Sequence, residues 1–524
     1  MRTWSRSAAA RVMPGGATVP RASKNPSGLF ANVGAMVTGR LLKSALLWTA
    51  WLIVISSLTP VEFGKFTLIF SVLEMLSIIT DLQVGRIAVV RLSTDLDDPG
   101  RFGGTYVLLR LALGAVGYVV ALGFVAAAGY PSDVVRATAV AGVIVVVATP
   151  SHAYDAVFEA GMRLRPIATA SVFGSMGQLA LTSAIAVAGG NILLFAIPAL
   201  LGEVLGIGWK MVAAHRVLPL RYRVDLREWW SLIREAVPLS VGVGLMLIYY
   251  RVDSVMLTKL DSFVAAGQYG VAYKFVDLAH SLSFYVAIAV LPLLVRSWPH
   301  RPQAFRAAAA RAAHLLAVLG GLLVCEFTVF APQVIRTLYG EAYAPAADAA
   351  RIVVASECIA FFTVLAFNCL VAARLNRHYP LVTLLGLIVN VTLNFFLIPR
   401  WSYLGAAVNT LVTDVLVCVL MLLLLRRVPG MRPLPLSSLP KVLCAGASGA
   451  LAGWAVARFT FWPLGAAVTA LVYVGMLRAL RAGGHGDADP GDQDSGPPDG
   501  AATSSDRGTD SAGTPSDRGT ETPG

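Results

Sequence analysis

Long apolar runs, separated by short polar stretches, recur from about residue 31 to residue 480 of this chain. A helix that crosses a bilayer needs about 20 mostly apolar residues, and about fourteen runs reach that length. They fall near 31–55, 63–84, 104–128, 134–158, 166–188, 191–213, 234–258, 265–294, 308–330, 350–373, 380–398, 404–425, 440–457 and 461–480. The connections are short, and no soluble domain is inserted between the runs. The longest outer connection, "APQVIRTLYGEAYAPAADAAR", has about 20 residues and predicts a loop. The pattern predicts an all-α polytopic membrane protein with about fourteen transmembrane helices.

Composition agrees with that reading. Of 524 residues, 56% are hydrophobic and 14% charged, against about 25% charged in soluble domains. The net charge of +12 raises the possibility of nucleic-acid binding, but the basic residues are placed as a topology signal. With the first residues inside, about 27 Lys and Arg fall in inner loops and about seven near outer ends. Arg163, Arg165, Arg216, Arg221 and Arg223 belong to the inner set. This predicts a multi-pass membrane protein with both termini cytoplasmic, and no nucleic-acid partner. Residues 1–29 are basic and lack the apolar core of a signal peptide. Residues 482–524 are rich in Asp, Gly, Pro, Ser and Thr, a composition that predicts a disordered acidic tail. The five cysteines lie within apolar runs without metal-ligand spacing, so no disulfide, metal or cofactor is expected.

An internal repeat changes the picture further. "FGKFTLIFSVLEMLS" lies over "AGQYGVAYKFVDLAHS" at a constant offset. Gly64 meets Gly267, Phe66 meets Tyr269, and Glu74 meets Asp277. Later, "LLGEVL" lies over "LVTDVL", with Glu203 against Asp414. Both members begin on the same side, as in parallel repeats. The expected organisation is two six-helix lobes, 30–215 and 216–430, with two extra helices in 431–481.

Charges inside apolar runs are the candidate chemistry, because each costs several kcal/mol in hydrocarbon, roughly 2.5 to 3.5 on the most lenient scale. Arg40 and Lys43 are i,i+3 and share one helix face. Such a pair needs an anion, either Glu74 or Asp81 of the second helix or a ligand phosphate. Lys274 and Asp277 have the same spacing and can neutralise each other. His280 continues that face and is the pH-sensitive member of a possible proton or cation relay. In "LIYYRVDSVML", Arg251 and Asp253 point to opposite sides of the helix. Asp253 can reach Lys274 or Lys259, which leaves Arg251, roughly 10 Å deep, for a cavity. No P-loop, nucleophile elbow or zinc motif occurs, so covalent catalysis is not expected.

Several stretches resemble the polysaccharide-biosynthesis flippases of the multidrug/oligosaccharidyl-lipid/polysaccharide exporter superfamily. They are "LTPVEFGKFTLIFSVLEMLSIITDLQVG", "YRVDSVMLTKLDSFVAAGQYGVAYKFVDL", "VIRTLYGEAYAPAADAARIV" and "NVTLNFFLIPRWSYLGAAVNTLVTDVL". The likeness covers roughly residues 30–430 in order. It departs where the family usually has DLGL and this chain has "DLQVG". The resemblance implies two lobes around a cationic cavity, with alternating access for an undecaprenyl-diphosphate-linked glycan. Arg40, Lys43 and Arg251 are then the expected diphosphate ligands. Glu74, Asp253, Lys274, Asp277 and His280 are expected to tune cavity charge or couple H+ or Na+. Expected partners are the glycan-lipid, membrane lipids, a polysaccharide polymerase and glycosyltransferases. A lipid II flippase, a multidrug or cation antiporter, a membrane glycosyltransferase or polymerase, and a non-transporting scaffold are the alternatives.

Overall fold

The computed structural model of the chain describes residues 26–94, 96–428 and 439–482. The basic beginning up to residue 25 and the acidic tail from residue 483 lie outside them. All regular structure among the described residues is helical. The first six passes are α1 (Pro26–Ser57), a broken second pass of α2 (Pro60–Met75), α3 (Ser77–Asp81) and α4 (Val84–Ser93), then α5 (Pro99–Ala127), α6 (Ser132–Ala160), α7 (Arg165–Val187), and α8 (Ile192–Phe195) with α9 (Ile197–Val217). The next are α10 (Leu226–Leu260), α11 (Phe263–Ser297), α12 (Pro302–Tyr339), α13 (Ala346–Ala372) and α14 (Tyr379–Leu425), followed by α15 (Leu439–Ala457) and α16 (Trp462–Ala482).

Thirteen of these helical stretches are long and apolar enough to cross a membrane. One of them, α14, counts twice. Its 47 residues, rising about 1.5 Å each, would reach about 70 Å, over twice the roughly 30 Å hydrocarbon core. Ser402 breaks it with φ 54° and ψ −141°. The chain is thus a multi-pass, all-α membrane protein, and its described residues hold the fourteen passes that the apolar runs predict.

Local sequence explains the helix starts. Thr59 and Glu62 form a capping box around Pro60: the Glu62 amide donates to Thr59 Oγ1 (3.3 Å) and the Thr59 amide to Glu62 Oε2 (3.0 Å). These bonds satisfy amides that a helix start leaves open. At the starts of α11 and α10, the Ser262 and Asp225 side chains accept from open amides without a reciprocal bond.

The second pass departs from the single helix predicted over 63–84. Leu82 and Gln83 both have positive φ, 42° and 54°, and separate α3 from α4. The expected family pattern has glycine at the position of Gln83, and the left-handed conformation there is the one glycine adopts freely. Arg110 covers the break. Its Nη1 donates to the Asp81 carbonyl at 2.9 Å, and its Nε to the Thr149 carbonyl at 3.1 Å. A freed carbonyl inside the membrane needs such a donor. The predicted loop over residues 331–351 is likewise corrected. Only Gly340, Ala344 and Pro345 lie outside helix or 3-10 turn there, because α12 continues past Pro332 until Gly340 turns the chain at φ 89°.

Pairings among the first six passes recur in the next six. α1 lies on α7 as α10 lies on α14, α5 on α6 as α12 on α13, and α6 on α9 as α13 on α14. The two sets meet where α2 and α11 cross. A Cβ on Gly64 would stand 1.7 Å from the Phe263 carbonyl oxygen, and one on Gly267 would stand 2.2 Å from that of Pro60. The repeat-related glycines therefore face each other, and only glycine allows the two backbones this close.

Candidate functional site

Below that crossing, α2, α10, α11 and α13 enclose a cavity of about 210 Å³ lined by Glu74, Tyr250, Arg251, Asp277, His280 and Glu357 among others. Arg251 is its centre. Its Nε donates to Glu74 Oε2 at 2.8 Å, and its Nη2 lies 3.3 Å from Asp277 Oδ1. Glu74 and Asp277 are the acids that the repeat sets against each other, so two equivalent carboxylates converge on one guanidinium. Arg251 lines the cavity as expected, but it is paired rather than free. Its side chain is only 18% exposed, and such an ion survives in low dielectric when its charge is matched.

Lys274 lies 3.6 Å from Asp277 Oδ2, the contact its i,i+3 spacing predicts. Its ammonium also sits 3.5 Å from the centre of the Trp51 ring, a favourable cation–π position. His280 Nδ1 is 2.9 Å from Glu357 Oε1, and its ring stands edge-on to Tyr250.

Asp253 has different neighbours from those expected. Neither Lys274 nor Lys259 reaches it; Lys259 donates to the Ala128 carbonyl and lies over the Tyr130 ring. Asp253 is buried and accepts from Tyr269 (2.8 Å), Asn394 (2.6 Å) and Thr410 (3.0 Å). Beside it, Asp414 accepts from Tyr249 (2.7 Å) and Ser356 (2.6 Å). A space of about 10 Å³, lined by Asp253, Glu357, Asn390, Thr410 and Asp414 among others, separates these groups. It has room for about one water. Tyr250, Tyr273 and Glu357 line both this space and the larger cavity.

Asn390, Asn394, Thr410, Glu357 and Asp414 are thus members of the site that charge spacing alone did not single out. The signal available was Asn390 and Asn394 at i,i+4 within an apolar run, which places two amides on one face.

Arg40 and Lys43 are not brought to Arg251. Neither lines the cavity. Their suggested counter-ions are engaged elsewhere, Glu74 with Arg251 and Asp81 with Arg110 at 2.8 Å. Arg40 is exposed and within electrostatic reach of Glu159, and Lys43 is half-buried. Neither makes an ion pair among the described residues.

Residues 29–298 match the family described as polysaccharide biosynthesis protein. The chain belongs to this family. The matched stretch contains Arg251 and both of its carboxylate partners. Among solved structures, an inward closed form of the lipid II flippase MurJ aligns with TM-score 0.67 at 12% identity, covering 87% of this chain and 99% of that one. An inward-facing multidrug resistance MATE family transporter of the MOP superfamily aligns with TM-score 0.63 at 15% identity, covering 73% and 93%. A MOP superfamily transporter from Pyrococcus furiosus aligns at 0.52, with 14% identity over 79% and 98%. These likenesses are of fold: this polysaccharide biosynthesis protein has the architecture of MOP superfamily transporters. No curated protein sequence matches the chain.

Proposed function

We propose that the protein is a lipid-linked oligosaccharide flippase. It moves an undecaprenyl-diphosphate-linked glycan from the inner to the outer leaflet of the bacterial cytoplasmic membrane, by alternating access between lobes 30–215 and 216–430. Both termini face the cytoplasm. Family membership supports polysaccharide synthesis as the setting, with a polymerase and glycosyltransferases as neighbours in the pathway. The observation that carries the mechanism is the Arg251 triad, in which Glu74 of one half and Asp277 of the other hold one arginine at a cavity.

An anionic diphosphate competes with both carboxylates for the guanidinium, which matches phosphate oxygens by bidentate hydrogen bonds. Binding then replaces the Arg251–Glu74 bridge, a polar tie between the halves, and favours the arrangement in which they separate on one side. Arg40 and Lys43, which have no ion pair among the described residues, supply first attraction for the diphosphate. Lys274 offsets the charge of Asp277 when Arg251 turns to substrate. Asp253, with the adjoining His280–Glu357 pair, takes up the coupling H+ or Na+ and returns the protein to its starting state.

The test is transport into proteoliposomes with a fluorescent lipid-linked glycan. Arg251→Ala is expected to lower the rate at least tenfold, the loss of about 1.4 kcal/mol or more of binding to a charged group. In cells, the same variant traps glycan-lipid on the cytoplasmic leaflet. Normal insertion with a full rate sinks the role of Arg251. Elongation of the glycan without change of leaflet sinks the flippase reading itself.

One observation favours a second reading, export of organic cations. The cavity has three carboxylates, Glu74, Asp277 and Glu357, against Arg251 and His280. Cation efflux that is abolished by Glu357→Gln, in a protein that leaves glycan-lipid in place, selects this alternative.

A further inference from the structure

Away from the central cavity, the first turn of α7 and the last turns of α9 form an open groove of about 530 Å³. Pro166, Trp209 and Val212 give it apolar walls, and Arg165 and Arg216 also line it. No carboxylate lines it. Trp209 is 46% exposed. Phe173 stands 6.0 Å from the Trp209 ring and extends the wall roughly 12 Å along α7 from Arg165. At Gly208 a Cβ would meet nothing within 4 Å, so the groove is open at this glycine.

Here two arginines border an apolar trough whose lining holds no carboxylate. Arg91, Arg101 and Arg221 each pair with carboxylates, Glu235, Asp225 and Asp98. Arg165 and Arg216 have no ion-pair partner among the described residues. Two uncompensated guanidinium groups at one end of an apolar trough complement a molecule with a phosphate head and a hydrocarbon tail. Basic pockets between transmembrane helices take anionic lipid head groups on these terms.

We propose that the groove is a binding site for an anionic phospholipid. Arg165 and Arg216 take its phosphate, and one acyl chain lies along Pro166, Trp209 and Phe173. The site is separate from the Arg251 cavity and does not depend on what that cavity transports.

Native mass spectrometry of the purified full chain tests this. The probes are phosphatidylglycerol, phosphatidylcholine of the same acyl chains, and undecaprenyl diphosphate. Phosphatidylglycerol is expected to be retained roughly tenfold or more over phosphatidylcholine. Arg165→Gln with Arg216→Gln removes that preference, and the Lys pair retains most of it. Gly208→Trp fills the trough and lowers retention while leaving the unfolding temperature unchanged. This second route holds even if the double glutamine variant does not fold. Equal retention of the two phospholipids by the unaltered protein overturns the proposal. So does a preference that survives both Gly208→Trp and the glutamine pair. Selective retention of undecaprenyl diphosphate, lost in the same variants, assigns the groove to an isoprenoid carrier and overturns it as well.

Discussion

The two halves of the molecule differ in how some of their membrane acids are satisfied. In the first six passes, acids meet cations: Asp81 with Arg110 at 2.8 Å, Asp155 with Lys210 at 2.8 Å, and Asp133 with Lys65 at 2.5 Å. In the next six, Asp253 and Asp414 are buried more deeply than these acids and accept only from hydroxyl and amide groups. No Lys or Arg lies within ion-pair distance of either among the described residues. Hydrogen bonds satisfy the carboxylate lone pairs but bring no positive charge. In the first half these pairs fasten helices together. The second half keeps a place for a positive charge, which is what the proposed coupling by H+ or Na+ requires. Arg251 stands between them, held by one acid from each half.

The largest effect expected from this contrast is on stability. Lys210→Ala takes the lysine from the largely buried Asp155, leaving His152 at 3.5 Å as its neighbour, and should cost about 3 kcal/mol. Unfolding in detergent, followed by helical signal, measures it. Lys210→Ala combined with Asp155→Ala should recover a large part of the loss, because no orphan charge remains. A single variant as stable as the unaltered protein would remove the claim that the first half depends on paired charges.

Asp253→Asn should behave in the reverse manner. The amide oxygen still accepts from Asn394, and the Tyr269 and Thr410 hydroxyls can turn to accept from the new amide nitrogen. The expected cost in stability is about 1 kcal/mol. Transport, in contrast, should fall at least tenfold if Asp253 carries the coupling charge. Asp155→Asn is the matched control, destabilising through Lys210 and not through loss of an ion site. Unchanged transport by Asp253→Asn would leave Asp253 a packing residue.

The repeat-related acids divide the comparison more finely. Glu74→Gln and Asp277→Asn each leave Arg251 one carboxylate, so each should cost about 1 kcal/mol or less in stability. Transport separates them. Glu74 is the carboxylate from the other half, so its loss should shift the balance between states, read as altered accessibility of a cysteine placed at Val243. Asp277 lies on α11, in the same half as Arg251, and its loss should leave that accessibility as it was. Equal shifts from both variants would place the tie elsewhere.

Much of the architecture was legible in the chain. Apolar runs of membrane length declare the passes, since hydrocarbon tolerates little else. The pairing of Glu74 with Asp277 was legible as a repeat before any contact was known. What did not show was rotation and depth. Arg40 and Lys43 share a helix face, but nothing in their spacing says that this face turns away from Arg251. Likewise, the partner of Arg251 lies 177 residues away, beyond any local pattern. Asn390, Asn394 and Thr410 were overlooked because neutral polar residues in apolar helices carry no charge signal, although they supply donors around Asp253.

The smallest expected effect concerns the one place where the family pattern and this chain part. Gln83 holds φ 54° without the freedom of glycine, and a non-glycine residue there costs roughly 1–2 kcal/mol. Its side chain returns part of that by donating from Nε2 to Asp81 Oδ2 at 2.9 Å, a bond worth about 1 kcal/mol. Gln83→Gly removes both the strain and the bond, so the net change in stability should be within about 1 kcal/mol. Gln83→Val keeps the strain, adds a β-branched clash and loses the bond, and should be clearly less stable. The order Gly above Val, measured by unfolding, tests whether the break in the second pass is built into the backbone. If valine is tolerated as well as glycine, the left-handed turn is not required, and the first half owes its shape to Arg110 and its carbonyl contacts alone.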